Sequence, residues 1–201
     1  MFNWIPFLTY VFVSTFTPGP NNILSMINGN HHGYKGTVKF LFGVCTGIFI
    51  IMLLSSYFNL ILVNLIPKIQ TFVEIIGALY MLYLAFKIMV ADINHSSEAD
   101  NQGLNTFKRG LLLQFVNPKV ILYGITIYAT FIIPHFHRSL ELILFSSLFA
   151  AIAFIGTTSW ALFGALFQSF LSKHYRLFQL SMGALLIYSA ISIVGLNRLF
   201  P

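Results

Sequence analysis

The chain has 201 residues, of which 57% are apolar and 8% charged, and its formal net charge is +6. A soluble domain carries roughly a quarter charged residues, so this composition excludes a soluble enzyme or binding module. It also excludes a disordered chain, which would have to stay solvated.

Six apolar runs reach the length of about 20 residues that a membrane helix needs: 5–27, 40–63, 69–90, 111–133, 142–167 and 177–196. They are continuous rather than alternating, which argues against barrel strands. The first run has no basic region before it and no small-residue cleavage site, so it is expected to insert and remain. It contains Pro18, Gly19 and Pro20, and the fourth run contains Pro118. Inside a membrane bundle such breaks are tolerated where neighbours or a cavity satisfy the freed backbone groups. The links are short except for residues 91–107, a polar stretch that includes Asp92, Glu98 and Asp100. It reads as a connector between two halves, 1–90 and 108–201, of a single transmembrane domain.

The basic residues stand singly or in pairs between these runs, as flanking charges do, and form no patch for a nucleic acid. Links one, three and five hold Lys35, Lys39, Lys87, Lys108, Arg109, Lys173 and Arg176, whereas Lys68, Arg138 and Arg198 lie on the opposite face. The excess places the first group in the cytoplasm and both termini outside. The single cysteine, Cys45, can form neither an internal disulfide nor a redox pair.

The two halves resemble each other. Aligned on Pro20 and Pro118, both broken runs read Pro-X-X-Ile-Leu, and the third and sixth runs carry Gly77-Ala78-Leu79 and Gly183-Ala184-Leu185. A repeat of three spans enters the bilayer inverted, as in many secondary transporters whose sites form where broken helices meet. The expected fold is therefore all-α: six transmembrane helices in two inverted three-helix repeats, with the first and fourth helices broken.

These breaks have a chemistry. Pro18 and Pro20 deprive the carbonyls of Ser14 and Phe16 of their helical donors, and Pro118 does the same to Gln114. Where the helix restarts after Pro20, the amides around Asn21 and Asn22 form an N-terminus with a partial positive field. Acceptors for an ammonium thus stand beside donors for a carboxylate, the two ends of an amino acid. Ser14, Thr17, Asn21, Ser25 and Asn28 share one face of the first run, and Lys119, Tyr123, Thr126 and Thr130 share one face of the fourth. Lys119 is ten residues beyond Arg109, about 15 Å along a helix, and a lysine so deep costs roughly 2.5–3.5 kcal/mol. It either faces the cavity beside Asn21 and Asn22, paired with the substrate carboxylate and able to release its proton when the site is empty, or clamps the carbonyls freed at the first break. The candidate binding residues are Thr17, Pro18, Gly19, Pro20, Asn21, Asn22, Gln114, Asn117, Pro118, Lys119 and Tyr123.

Other features carry less. Gly43 and Gly47 in the second run, and Ala153, Gly156, Ala161, Gly164 and Ala165 in the fifth, are explained by close helix packing. His31 and His32 read as a solvated pair in the first link. The sequence has no His-Glu-X-X-His motif and no pair of acids inside a span, so intramembrane metalloprotease or aspartyl protease chemistry has no residues to run on.

Thr17-Pro18-Gly19-Pro20-Asn21, followed by Gly33-Tyr34-Lys35-Gly36, Gly43, Gly47, Gly77-Ala78-Leu79-Tyr80 and Asn117-Pro118-Lys119, resembles the motifs of the lysine-exporter (LysE/RhtB) family of amino-acid efflux proteins. The stretches 17–24 and 113–124 most resemble its members that export cysteine and O-acetylserine. The resemblance implies a secondary transporter of the inner membrane, driven by proton motive force, with a small amino-acid substrate and protons as partners beside the lipid bilayer. No cofactor, metal or nucleic acid is implied, and a homo-oligomer is left open. One departure matters: some members carry an acid after Pro-Gly-Pro, where Asn21 stands here. The alternative reading, a passive channel or metal-ion efflux pore, would want rings of acids or carbonyls, and the interior offers a lysine instead.

Overall fold

The computed structural model describes residues 2–90 and 105–199, and every regular element among them is a helix. In chain order these are α1 (Trp4–Phe16), α2 (Pro20–Tyr57), α3 (Asn59–Val90), α4 (Phe107–Val116), α5 (Pro118–Ile127) with a π-turn (Tyr128–Ile132), α6 (Ser139–Leu166), α7 (Gln168–Lys173) and α8 (Tyr175–Leu199). The polar connector expected at 91–107 lies outside the described residues up to 104; Phe107 already opens α4, capped by the Thr106 side chain, which accepts from the Arg109 amide.

Both expected breaks are present. Thr17 ends α1 in an extended conformation, and α2 restarts with Pro20 as its first residue. Asn117 is extended between α4 and α5, and α5 restarts with Pro118. Proline suits the first helical position because its fixed φ is already helical and its missing N–H would have had no partner there. The α4–α5 break bends the chain by 65°.

The first link differs from expectation. Residues 28–39 are helical on both sides of a kink at Gly33, which stands at φ +66° and ψ 172° and joins two helical limbs. Only glycine takes such a φ readily, so this residue carries the change of direction between the two limbs of α2. Among the described residues, α2 and α6 are each long and apolar enough to cross a membrane, and the bent pair α4–α5 makes a third candidate span.

The bundle carries large apolar side chains on its outside as well as in its core. Ile5, Phe12, Phe72, Phe86, Leu166 and Ile191 face outward, whereas Asn21, Asn22, Asn28, Asn30, Gln114 and Asn117 are buried. That arrangement suits a hydrocarbon solvent, where apolar surface outside costs nothing and amides must be partnered within.

Glycines set the closest approaches. A Cβ on Gly29 would collide with the Ala161 carbonyl and one on Gly164 with the Met26 carbonyl, so the first limb of α2 lies against α6 backbone to backbone. Gly43 meets the Phe107 carbonyl and Gly110 the Phe40 carbonyl in the same way, joining the second limb of α2 to α4. α3 pairs with α8, where Arg176 and Gln179 donate to the last carbonyls of α3, those of Met89 (2.7 Å) and Ile88 (3.0 Å). These contacts bring the two breaks together at the centre.

Candidate functional site

The two breaks touch through side-chain amides. Asn21 Nδ2 donates to Gln114 Oε1 (2.8 Å), and Gln114 Nε2 donates back to Asn21 Oδ1 (3.0 Å) and to the Gly110 carbonyl (2.8 Å). Asn117 Nδ2 also reaches Asn21 Oδ1, at 3.3 Å, while Asn117 Oδ1 caps α5 by accepting from the Lys119 amide at 3.2 Å.

Lys119 crosses to the other break. Its Nζ donates to the Thr17 hydroxyl (2.8 Å), the Thr17 carbonyl (3.0 Å) and the Pro18 carbonyl (3.5 Å). Gly19 leaves the room for it: a Cβ there would stand 3.2 Å from Lys119 Cδ and 3.3 Å from Nζ. Asn22 Nδ2 turns back to the carbonyls of Thr15 (2.8 Å) and Thr17 (2.9 Å), and Ser189 on α8 donates to that of Pro18 (3.3 Å). The proline rule pointed to the carbonyls of Ser14 and Phe16. The donors go instead to residues 13, 15, 17 and 18. The helix ends outright at Phe16, so the whole last turn and the extended residues beyond it present carbonyls.

A cavity with about 500 Å³ of empty space, its open mouth included, lies at this junction. Of the sequence candidates, Gly19, Pro20, Asn21, Asn22, Asn117, Lys119 and Tyr123 line it. Thr17, Pro18, Gln114 and Pro118 do not: Thr17 and Pro18 hold Lys119 from behind, Gln114 is fully buried against Asn21, and the Pro118 ring packs on Gly77 of α3. Ser14, Thr15, Ile48, Val120, Ala153 and Thr157 complete the lining and were not among the candidates. For Ala153 and Thr157 the sequence holds no separate signal, because small residues on a membrane helix serve packing as well as lining.

The α2 and α5 N-termini both border the cavity, and α2 has no side-chain cap at Gly19. Asn117 and its carbonyl already occupy the first amides of α5, so it is the uncapped start of α2, with the Lys119 ammonium, that makes this wall a place for negative charge. Tyr123 closes one end, its ring stacked on Tyr10 at 5.5 Å and edge-on to Phe149 at 6.1 Å. Among the described residues no group of three or more His, Cys, Asp or Glu side chains could hold a metal.

Residues 12–196 match the family described as LysE type translocator. The chain belongs to this family. LysE type translocators are membrane transport proteins, not enzymes, which accords with the outward-facing apolar helices. Its relatives include the cysteine/O-acetylserine efflux protein of Klebsiella pneumoniae, 38% identical over 188 residues (94% of this chain and 95% of the relative). The protein of the same description from Escherichia coli O157:H7 is 35% identical over 191 residues, covering 93% of this chain and 95% of the relative. No solved structure matches the chain.

Proposed function

We propose that this LysE-family protein exports small neutral amino acids or their derivatives, of the cysteine and O-acetylserine kind, across the bacterial inner membrane. The observation that carries the reading is the cavity where the two breaks meet, in which a lysine is bonded to neutral oxygens alone: those of Thr17 and Pro18. A deep ammonium with only neutral partners favours an incoming anion. A substrate carboxylate would take its place against Lys119 and the uncapped N-terminus of α2. The substrate ammonium would take the carbonyls of the first break that Lys119 then releases. The descriptions of the relatives agree with a substrate of this size and charge.

Six spans in two inverted repeats, 1–90 and 108–201, give such a site access to each face in turn. In support, each half carries one break whose helix restarts on a proline, Pro20 and Pro118, and exchanging the halves maps the α3–α8 pair onto itself. The basic residues support a topology with both termini in the periplasm. Asn21 occupies the position where some relatives carry an acid, so the Lys119 amine is the group that would exchange a proton with the driving gradient.

Efflux from cells loaded with labelled amino acids, followed by counterflow in membrane vesicles, tests the reading. Cysteine and O-acetylserine should leave faster than lysine or glutamate, and dissipating the proton gradient should slow them. Equal downhill passage of all four without counterflow would replace the exporter with a pore.

A further inference from the structure

Resting on the export reading, we propose that a side-chain subsite lies outside the broken helices, on Ile48 of α2 and Ala153 and Thr157 of α6. In it Ala153 limits the length of the substrate side chain, and Thr157 favours a hydroxyl or thiol on it.

The division of the cavity wall carries the inference. The groups suited to a carboxylate and an ammonium all belong to the two breaks: Lys119, the Asn21 and Asn22 turn, and the carbonyls near Thr17. At the Tyr123 end the rings of Tyr10 and Phe149 fill the space behind the lining. The rest of the lining divides by element: Ser14, Thr15 and Val120 belong to the broken helices, and Ile48, Ala153 and Thr157 to the second limb of α2 and to α6, where a substrate side chain can meet them. Two of these last three are apolar, and none offers a charge to a charged side chain, which would therefore be desolvated without compensation.

Thr157 is buried, and its hydroxyl proton is committed within its own helix, to the Ala153 carbonyl at 2.9 Å or the Phe154 carbonyl at 3.2 Å. Its oxygen lone pairs remain, so towards the cavity it can accept a hydrogen bond but not donate one. A serine hydroxyl or cysteine thiol supplies the matching donor. Ala153 presents only a methyl, and its position relative to Ile48 is held one turn away, where Cys45 Sγ meets the Ala150 carbonyl at 3.6 Å. α6 is also fixed on α2 by the backbone contacts at Gly29 and Gly164, so a longer side chain at 153 would fill substrate space rather than push α6 away.

The test is transport of labelled alanine, serine, cysteine and O-acetylserine in vesicles carrying wild type, Ala153→Leu or Thr157→Val. Ala153→Leu should lower O-acetylserine transport relative to alanine by about tenfold or more, the scale of a size change in an apolar pocket. Thr157→Val keeps the shape and removes the acceptor, and should lower the serine-to-alanine ratio by about tenfold. If Ala153→Leu does not insert, Thr157→Val decides alone. A substrate ranking that is unchanged, or a loss uniform across the panel, would overturn the subsite while leaving the exporter intact. Wild-type vesicles that move none of the four would overturn the export reading and the subsite with it.

Discussion

Asn21 and Gln114, 93 residues apart in the chain, exchange a reciprocal pair of amide hydrogen bonds of 2.8 and 3.0 Å where the two helix breaks meet. Both residues are buried, so removing either strands a polar group of the other, at about 1–3 kcal/mol. Asn21→Leu and Gln114→Leu should each destabilise the detergent-solubilised protein by that order. A double-mutant cycle should return a coupling of about 0.5–3 kcal/mol, read from thermal or denaturant unfolding. Additive effects would show that the amides are held independently.

Lys119 makes contact with Thr17 from across the junction, and the substitution that separates a clamp from a transport group is Lys119→Arg. It keeps charge and donors but is not deprotonated. The variant should accumulate in the membrane at a normal level and export at less than about a tenth of the wild-type rate, on the scale by which proton-transfer groups contribute. Lys119→Met should lose export as well, and with it the tie to Thr17. Efflux rates normalised to membrane protein check both; full export by a well-inserted Lys119→Met would remove the lysine from the mechanism.

The glycines divide into two classes whose substitution costs differ in kind. Gly29→Ala and Gly164→Ala place a methyl against a backbone carbonyl of the facing helix. α2 and α6 must then move apart, at roughly 1–3 kcal/mol or more. Gly33→Ala meets no atom within 4 Å but must hold φ near +66° with ψ near 172°, a region essentially restricted to glycine, at about 1–3 kcal/mol. Thermal stability in detergent should therefore fall for all three variants, and Gly33→Asn should be no milder than Gly33→Ala.

Topology can be read by cysteine labelling, because Cys45 is the single cysteine of the chain. In a Cys45→Ala background, Arg138→Cys should react with a membrane-impermeant maleimide in intact cells. Lys173→Cys should react only after permeabilisation. The reverse pattern would invert the assignment of the termini.

Pro20 and Pro118 show which part of this protein is local. A proline lacks an amide hydrogen wherever it stands, so a break before each one and a helix restart upon it are what covalent structure favours, though α3 continues through Pro67. The apolar runs follow from composition in the same direct way, because the bilayer is a uniform solvent and each span meets it one helix at a time. The first link shows the limit of this reasoning. Its histidines, asparagines and lysines read as a solvated loop, yet the helix continues through them to a single glycine hinge at Gly33.

What the sequence by itself determined was the class, the two breaks and the residue types that gather at them. Only the tertiary structure decided which carbonyls Lys119 meets, that Gln114 stands behind the cavity bonded to Asn21, and that Ala153 and Thr157 form a wall of it. The physical reason is that small and polar residues obey the same spacing on a membrane helix whether they face a neighbour or a cavity. The glycine contacts of α2 with α4 and α6 set the distance and rotation of the helices, and those bring residues more than a hundred positions apart, such as Thr17 and Lys119, within 3 Å.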